Sequence, residues 1–174
     1  TKKGLKDAWL GDTKGYEKLF KNPKFNNLAN LIGKKVMSYT NALGIDNDKI
    51  DFFYQRSWAT ITRNEERITP HRHVQSNISF AYYPLKPKDS GNIRFLSISK
   101  NEIAIGIFRP GLVKNFNLRN TSSIDVPVEE NDIIIFPSNT EHATIPNKSN
   151  EPRISISGDI VIMLKEKFEH KRFM

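Results

Sequence analysis

From residue 51 onward, the sequence consists of short segments rich in aromatic and β-branched residues, separated by turn residues. Such segments are typical of β-strands, and many short strands at close spacing are typical of a sandwich or barrel. The predicted strands are 52–62, 68–73, 78–83, 93–98, 102–108, 115–118, 124–128, 133–136, 142–145 and 153–164. The pattern therefore predicts a mainly β fold whose strands close into a barrel.

The sequence before residue 51 has a different pattern. Apolar residues recur at three- and four-residue steps over 26–43, which predicts an amphipathic helix that packs on the barrel. Gly44 lies directly after this segment, at the position where a glycine commonly ends a helix. A second, short helix is predicted around 16–20. The first fifty residues are thus interpreted as a set of N-terminal helices.

The length of 174 residues favours one domain. Its predicted parts are a helical preface over 1–50, a β core over 51–164 and a basic tail over 165–174. The chain has no cysteine, which excludes disulfides and fits a reducing compartment. No apolar run approaches the ~20 residues that span a bilayer, and the first residues lack a signal-peptide core. We expect a soluble, intracellular protein, with a start at Thr1 that is consistent with an incomplete or processed N-terminus.

The net charge is +8, from 27 basic and 19 acidic residues. A basic balance is compatible with nucleic-acid partners, but here the lysines are spread along the chain. The densest basic groups, at 2–3, 34–35 and 165–172, do not alternate with aromatic residues in the way of proteins that bind single strands. A solvated basic surface is therefore favoured over a nucleic-acid interface.

Three of the four histidines stand in two places, as the pair His71 and His73 and as the distant His142. Alternate residues of a strand point to the same face, so a His-x-His pair projects both imidazoles together. A third imidazole from His142 would close one face of a metal site suited to iron, zinc, copper or nickel. Ordinary surface histidines remain the alternative at this stage.

Arg153 and Ser155 lie eleven and thirteen residues after His142 and point to one face of the last predicted strand. An arginine directed into a barrel is costly unless it meets an anion, and a guanidinium binds a carboxylate through two hydrogen bonds. A barrel of about eight strands leaves room for a metal and a small ligand. An exposed strand arginine is the alternative.

Taken together, these motifs resemble a family of iron(II)/2-oxoglutarate-dependent oxygenases found in marine bacteria and phages, and more distantly the prolyl hydroxylases. The resemblance covers roughly 50–164, and the order Phe-Pro-Ser, His, Arg-x-Ser is its specific part. It implies a double-stranded β-helix, the cupin-like jelly-roll barrel. The segments that carry it are Trp-Ala-Thr-Ile at 58–61, Pro-His-Arg-His at 70–73, 78–83, Ile-Phe-Pro-Ser at 135–138, His142 and Arg-Ile-Ser-Ile-Ser at 153–157.

The resemblance implies that His71 and His142 are iron ligands. His73 stands where most of these oxygenases have an acid, so the usual set of two histidines and one carboxylate is not reproduced. Either three histidines bind the metal, which is the favoured interpretation and makes all three catalytic, or a carboxylate from elsewhere joins them. Glu66 and Glu141 are the nearest acids in sequence, and neither has the usual spacing.

The resemblance also implies a co-substrate site. Arg153 would hold the distal carboxylate of 2-oxoglutarate with the assistance of Ser155. Tyr83, on a strand with Ser79 and Ala81 facing the same way, is a candidate second contact to that carboxylate. Asn77 is a weaker candidate that would face the metal or the substrate.

The implied enzyme is a dioxygenase that uses Fe(II), 2-oxoglutarate and O2. It would convert 2-oxoglutarate to succinate and carbon dioxide while hydroxylating a C–H bond of a small-molecule or peptidyl substrate. We expect a monomer or homodimer without a membrane partner, in the cytoplasm, or in the host cytoplasm if the protein is phage-encoded.

Two other functions remain open. A metal-binding cupin that is not an oxygenase fits residues 132–137 followed by His142, which are similar to the second cupin motif. However, the glutamate expected shortly after His-x-His is missing, and a cupin has no use for Arg153 and Ser155. A basic, non-catalytic binding module in which the histidines are incidental is the second alternative.

Overall fold

The computed structural model describes residues 6–8, 16–96, 115 and 121–165. Within these ranges the protein has one α-helix, α1 (Asn26–Ala42), and three 3₁₀ helices at Leu19–Lys21, Pro23–Phe25 and Asn47–Lys49. None of the helices there is long and apolar enough to cross a bilayer. The strands are β1 (Lys6–Asp7), β2 (Ile50–Thr62), β3 (Glu66–Arg67), β4 (Ile78–Leu85), β5 (Ile93–Leu96), β6 (Ser123–Val126), β7 (Ile133–Pro137), β8 (His142–Thr144) and β9 (Arg153–Leu164).

The strands form two larger antiparallel sheets and one small parallel pair. The four-stranded sheet has the order β2-β9-β4-β7, the three-stranded sheet has the order β6-β5-β8, and β1 pairs with β3. The long strand β9 pairs with β2 along its whole length, from Thr62 opposite Arg153 to Ile50 opposite Leu164. Its other edge pairs with β4. The four-stranded sheet is therefore built around β9.

Helix α1 covers one face of this sheet. Ile32 and Val36, one turn apart on the helix, are fully buried and pack against Ile78, Phe80 and Ile160. Burying an aliphatic or aromatic side chain of this size contributes about 1.5–3 kcal/mol, so this cluster anchors the helix to the sheet. Since side chains alternate along a strand, the opposite face of β4 and β9 is left free to line a cavity.

Several predicted elements match the structure closely. The last strand is found at the predicted bounds, and α1 ends within one residue of the predicted helix. Gly44, the predicted C-terminal glycine, has a φ of +76°, a left-handed backbone that favours glycine. The prediction of a mainly β protein is confirmed by the two sheets.

Two predictions for the described residues are wrong. The short helix predicted around 16–20 is reduced to the 3₁₀ helix Leu19–Lys21, because residues 17 and 18 follow the edge of β2, where the Ser57 amide donates to the Glu17 carbonyl. Residues 1–50 thus contribute one α-helix to the described structure and not several. The strand predicted over 68–73 is reduced to an isolated bridge between His71 and His142. The strand predictions 102–108 and 116–118, and the tail from residue 166, lie outside the described residues.

A tight turn connects β4 to β5 and places Gly91 against the next loop. Gly91 has a φ of +78°, and a Cβ atom there would lie 2.1 Å from the carbonyl oxygen of Ile145. Gly44 has a similar φ, but nothing lies within 4 Å of the position of its Cβ. The two glycines therefore separate the cost of the backbone conformation from the cost of a collision.

We predict that Gly91→Ala destabilises the protein much more than Gly44→Ala. Alanine in the left-handed region costs about 1–2 kcal/mol at either position. Displacement of the Ile145 backbone raises the loss at Gly91 to about 3 kcal/mol or more. Urea denaturation of the two variants checks this expectation, and equal losses in the free energy of unfolding would contradict it.

Candidate metal and anion site

A cavity is lined by residues of the two larger sheets, and six of the seven predicted site residues are among them. The lining side chains come from β2, β4, β7 and β9 of the four-stranded sheet, from β5 and β8 of the three-stranded sheet, and from the loop before β4. Its polar members are Thr60, His71, His73, Ser79, Tyr83, His142, Thr144, Arg153, Ser155 and Ser157. The histidines and Arg153, distant in sequence, thus share one cavity.

Backbone hydrogen bonds bring the three histidines together. His71 and His142 form an isolated antiparallel bridge, in which each amide donates to the carbonyl of the other at 2.9 Å. The amide of His73 donates to the carbonyl of Ser138 at 2.9 Å. The imidazole centroids lie 4.3–5.4 Å apart, and one possible ligand atom from each ring lies within 4.8 Å of the other two.

Each imidazole is held in the tautomer that a metal ligand requires. Nδ1 of His71 donates to the carbonyl of Thr69 at 2.9 Å, and Nδ1 of His142 donates to the carbonyl of Thr140 at 2.9 Å. A carbonyl oxygen can only accept, so Nδ1 carries the proton and the lone pair is on Nε2. Nδ1 of His73 is bound in the same way to a carboxylate oxygen of Asp159, at 2.5 Å.

Burial keeps two of these imidazoles neutral. It lowers the pKa of His71 below its usual range and lowers the pKa of His142 to about 4. A metal binds the neutral imidazole, so no proton has to be displaced from these two rings near pH 7. Three free Nε2 atoms at the end of a cavity fit a divalent transition metal.

Asp159 is a site residue that the sequence predictions missed. Its side chain is fully buried, and it accepts hydrogen bonds from His73, from the Ser79 hydroxyl at 2.7 Å and from Nε of Arg56 at 3.0 Å. Burial alone would raise the pKa of this carboxyl group, but the hydrogen bonds outweigh burial and lower the pKa. Neither Glu66 nor Glu141, the acids considered from the sequence, lines the cavity.

A signal for Asp159 was present in the sequence. Strand alternation places Ser157 and Asp159 on the same face as Arg153 and Ser155, so the pattern that revealed the arginine also includes the aspartate. Its partner Arg56 lies 103 residues away in the sequence. No local pattern links the two residues, because the pairing of β2 with β9 alone brings them together.

Arg153 occupies another part of the cavity wall. It is 2% exposed. Its Nη1 donates to the carbonyls of Ser90 (2.8 Å) and Gly91 (3.0 Å), and its Nη2 donates to the Thr62 hydroxyl (3.3 Å). A guanidinium has five N–H donors, so Nε and one Nη2 proton have no partner in the described part of the chain. Burial lowers the pKa of Arg153, as expected for a cation without a carboxylate beside it.

Further groups around Arg153 fit an anionic ligand. Tyr83 and Ser155 line the cavity, and burial raises the pKa of Tyr83 to about 12, so its hydroxyl remains a donor. The Thr60 hydroxyl, on the strand position opposite Ser155, is buried and has no hydrogen-bond partner among the described residues. A buried polar group without a partner is rare in proteins and indicates a missing ligand or water.

Asn77 is not brought to the cavity. Its side-chain oxygen accepts a hydrogen bond from the backbone amide of Ile162 at 2.8 Å, and its own backbone amide donates to the carbonyl of Ile160. The residue therefore links the start of β4 to β9. The roles predicted for the three histidines, Arg153, Ser155 and Tyr83 stay predictions, now with their positions known.

The comparison with protein families identifies the class. The model of a family described as "Putative 2OG-Fe(II) oxygenase" matches residues 56–159, more than half of the chain. The protein therefore belongs to this family, as its motifs predicted. Membership implies Fe(II), 2-oxoglutarate and O2 as cofactor and co-substrates, and the three imidazoles and Arg153 fit the first two. No curated protein sequence matches the chain significantly.

Solved structures with a similar fold include an oxidoreductase of the 2OG-Fe(II) oxygenase family from Burkholderia pseudomallei. It is 12% identical, the alignment covers 80% of this chain and 59% of that chain, and the TM-score is 0.57. A prolyl-4-hydroxylase from Pseudomonas putida is 16% identical, with 75% and 59% of the two chains covered and a TM-score of 0.44. At 12% identity the likeness to the Burkholderia structure concerns the fold alone. The chain spans about three fifths of the length of both structures.

We predict that Co(II) stabilises the protein through His142. At 100 times its Kd, a ligand that binds only the folded state adds about 2.7 kcal/mol, a rise in Tm of roughly 5–10 °C. His142→Ala should lose most of this rise because one of three ligand nitrogens is removed. The measurement is thermal unfolding followed by circular dichroism, with and without the metal.

Thr60→Val provides the matched control for this experiment. It changes a buried residue of the same cavity and removes only a hydroxyl that has no partner among the described residues. We expect this variant to keep the full Co(II)-dependent rise. An equal rise in His142→Ala and the wild type would contradict the assignment of His142 as a ligand.

Proposed function

We propose that the protein is a 2-oxoglutarate- and Fe(II)-dependent dioxygenase that hydroxylates a C–H bond. In the overall reaction, the substrate, 2-oxoglutarate and O2 give the hydroxylated substrate, succinate and carbon dioxide. The observation that carries this proposal is one cavity with two features. At one place three imidazoles present Nε2 atoms that no described residue binds, and at another the buried Arg153 has N–H donors that no described residue accepts.

We further propose that the two larger sheets are the two faces of a double-stranded β-helix. The described strands form separate sheets and not a closed barrel, but two observations support the proposal. The cavity is lined from both sheets, and the bridge between His71 and His142 links the loop before β4 to strand β8.

In the proposed enzyme, the residues of the chain divide into two groups. His71, His73 and His142 would hold Fe(II), while Arg153 would receive the distal carboxylate of 2-oxoglutarate. Iron and 2-oxoglutarate together supply the oxidising chemistry that breaks a C–H bond. The protein contributes orientation, a cavity sheltered from water and a fixed positive charge, which binds the carboxylate strongly in a buried setting.

The hydroxyl groups of the cavity would complete the carboxylate site. Ser155 lies two positions from Arg153 on the same face of β9, and Thr60 lies opposite Ser155 on β2. Tyr83 reaches the same cavity from β4. Hydroxyl donors around a guanidinium would satisfy the carboxylate lone pairs that Arg153 leaves unused, as buried charges require.

The cupin alternative accounts for the metal ligands but not for Arg153. A cupin that binds metal alone needs no buried arginine with free N–H donors in the metal cavity. The basic binding module requires neither feature, and would bind DNA or RNA with strong salt dependence and without metal. Binding of nucleic acid that survives His71→Ala, together with no response to Fe(II), would favour that alternative.

We predict that Arg153 selects 2-oxoglutarate over 2-oxopentanoate, which has a methyl group in place of the distal carboxylate. Under anaerobic conditions, Fe(II) and 2-oxoglutarate should give a weak visible charge-transfer band. Titration of this band should show that the wild type binds 2-oxoglutarate about 100-fold or more tightly than 2-oxopentanoate. In Arg153→Ala this preference should disappear, because the guanidinium partner of the distal carboxylate is gone.

The two ligands make the result independent of general damage to the fold. A variant that is merely less stable weakens the binding of both ligands and keeps their ratio. Thr60→Val is the milder variant, and we expect it to reduce the preference by about tenfold through loss of one hydrogen bond. An unchanged ratio in Arg153→Ala would count against the proposed carboxylate site.

The substrate is proposed only as a class, a small molecule or a peptidyl side chain. A succinate-formation assay against free amino acids, prolyl peptides and nucleosides distinguishes these classes. We also propose a cytoplasmic location, or the host cytoplasm if the gene belongs to a phage, because a chain without cysteine suits a reducing compartment. A monomer or homodimer is expected.

A further inference from the structure

Asp159 lies beside the proposed metal site, but both its carboxylate oxygens face donors from the protein. Oδ1 accepts from Nδ1 of His73 and from the Ser79 hydroxyl, and Oδ2 accepts from Nε and Nη2 of Arg56. The side chain is fully buried. A carboxylate held by four donors in this way is not free to turn towards a metal without breaking them.

Gly158, next to Asp159 in β9, allows a close approach between β9, β2 and Phe80. Gly158 precedes Asp159, and a Cβ atom on it would lie 2.7 Å from both the Arg56 carbonyl oxygen and the ring of Phe80. The missing side chain lets β9 approach β2 and the Phe80 ring closely. The position of Asp159 is therefore fixed by the sheet and not only by its hydrogen bonds.

His73 differs from the other two histidines in the hydrogen-bond acceptor of its Nδ1. His71 and His142 each donate Nδ1–H to a backbone carbonyl, whereas His73 donates to a charged carboxylate. A carboxylate acceptor fixes the ring orientation more strongly than a carbonyl and makes Nε2 a stronger electron donor. His73 also stands at the position where related oxygenases have an acid.

We propose that Asp159 is a positioning residue that acts through His73. The pair of His73 and Asp159 replaces the ligand carboxylate of the usual set, so that the negative charge is retained but lies one imidazole further from the metal. Arg56 fixes the second oxygen of this carboxylate and is itself held by Glu17 at 3.3 Å. This inference rests on the proposed metal site.

The test measures metal affinity and does not depend on turnover. The probe is Co(II), titrated into the metal-free protein and followed by its visible absorption. Asp159→Asn keeps an acceptor oxygen for His73 but removes the charge and turns an NH2 group towards Arg56. We expect this variant to bind Co(II) 10–100-fold more weakly than the wild type.

A double-mutant cycle with His73→Ala shows whether Asp159 acts through the imidazole. If it does, Asp159→Asn in the His73→Ala background should change the Co(II) affinity less than about threefold. A purely structural role, or a direct effect of the Asp159 charge on the metal, would weaken binding by the same factor in both backgrounds. That result would overturn the inference.

Asp125→Asn is the matched control. Asp125 also pairs with an arginine, Arg94, through two hydrogen bonds of 2.5 and 2.8 Å, but it is exposed on β6. We expect its affinity for Co(II) to equal that of the wild type. If the wild type itself fails to bind Co(II), the proposed function and this inference both fall. If the wild type and Asp159→Asn bind equally, only the inference about Asp159 falls.

Discussion

The structure depends on strand β9, which has one apolar face and one polar face. Ile160 and Ile162 pack in the cluster with α1, while Arg153, Ser155 and Ser157 on the other face line the cavity and Asp159 on that face binds His73. Because β9 pairs with β2 on one edge and with β4 on the other, it holds this division in place over the whole sheet. A slip of one residue would bury the polar face against the helix and destroy the site.

The buried charges of that polar face are compensated in different ways. Asp159 is surrounded by donors and paired with Arg56, so its charge is stable within the protein alone. Arg153 is held by backbone carbonyls and a hydroxyl and has no carboxylate beside it in the described part of the chain. A buried cation without a counter-charge is costly, and a dianionic co-substrate would remove that cost. The charge of Asp159 is thus paired within the protein, whereas the role proposed for Arg153 is to bind a ligand.

Much of this arrangement follows from local patterns in the sequence. The bounds of α1 and β9, and the grouping of His71, His73 and His142, come from periodicity, turn residues and the order of the motifs. Other features depend on contacts that no local pattern contains. The pairing of Arg56 with Asp159 needs the register of two distant strands. The region of His71 was predicted as a strand, yet it forms a single isolated β-bridge, between His71 and His142, and a few separate hydrogen bonds to neighbouring residues. Asn77 was a weaker candidate that the resemblance implied, and its side chain binds the backbone of β9.

The central claim is that one cavity holds Fe(II) through three imidazoles and 2-oxoglutarate through Arg153. The most direct measurement is an anaerobic crystal structure of the protein with Fe(II) and 2-oxoglutarate. The account predicts three Nε2 atoms within about 2.0–2.2 Å of the metal and the distal carboxylate in contact with Arg153. A metal bound by the Asp159 carboxylate, or a co-substrate carboxylate remote from Arg153, would contradict it.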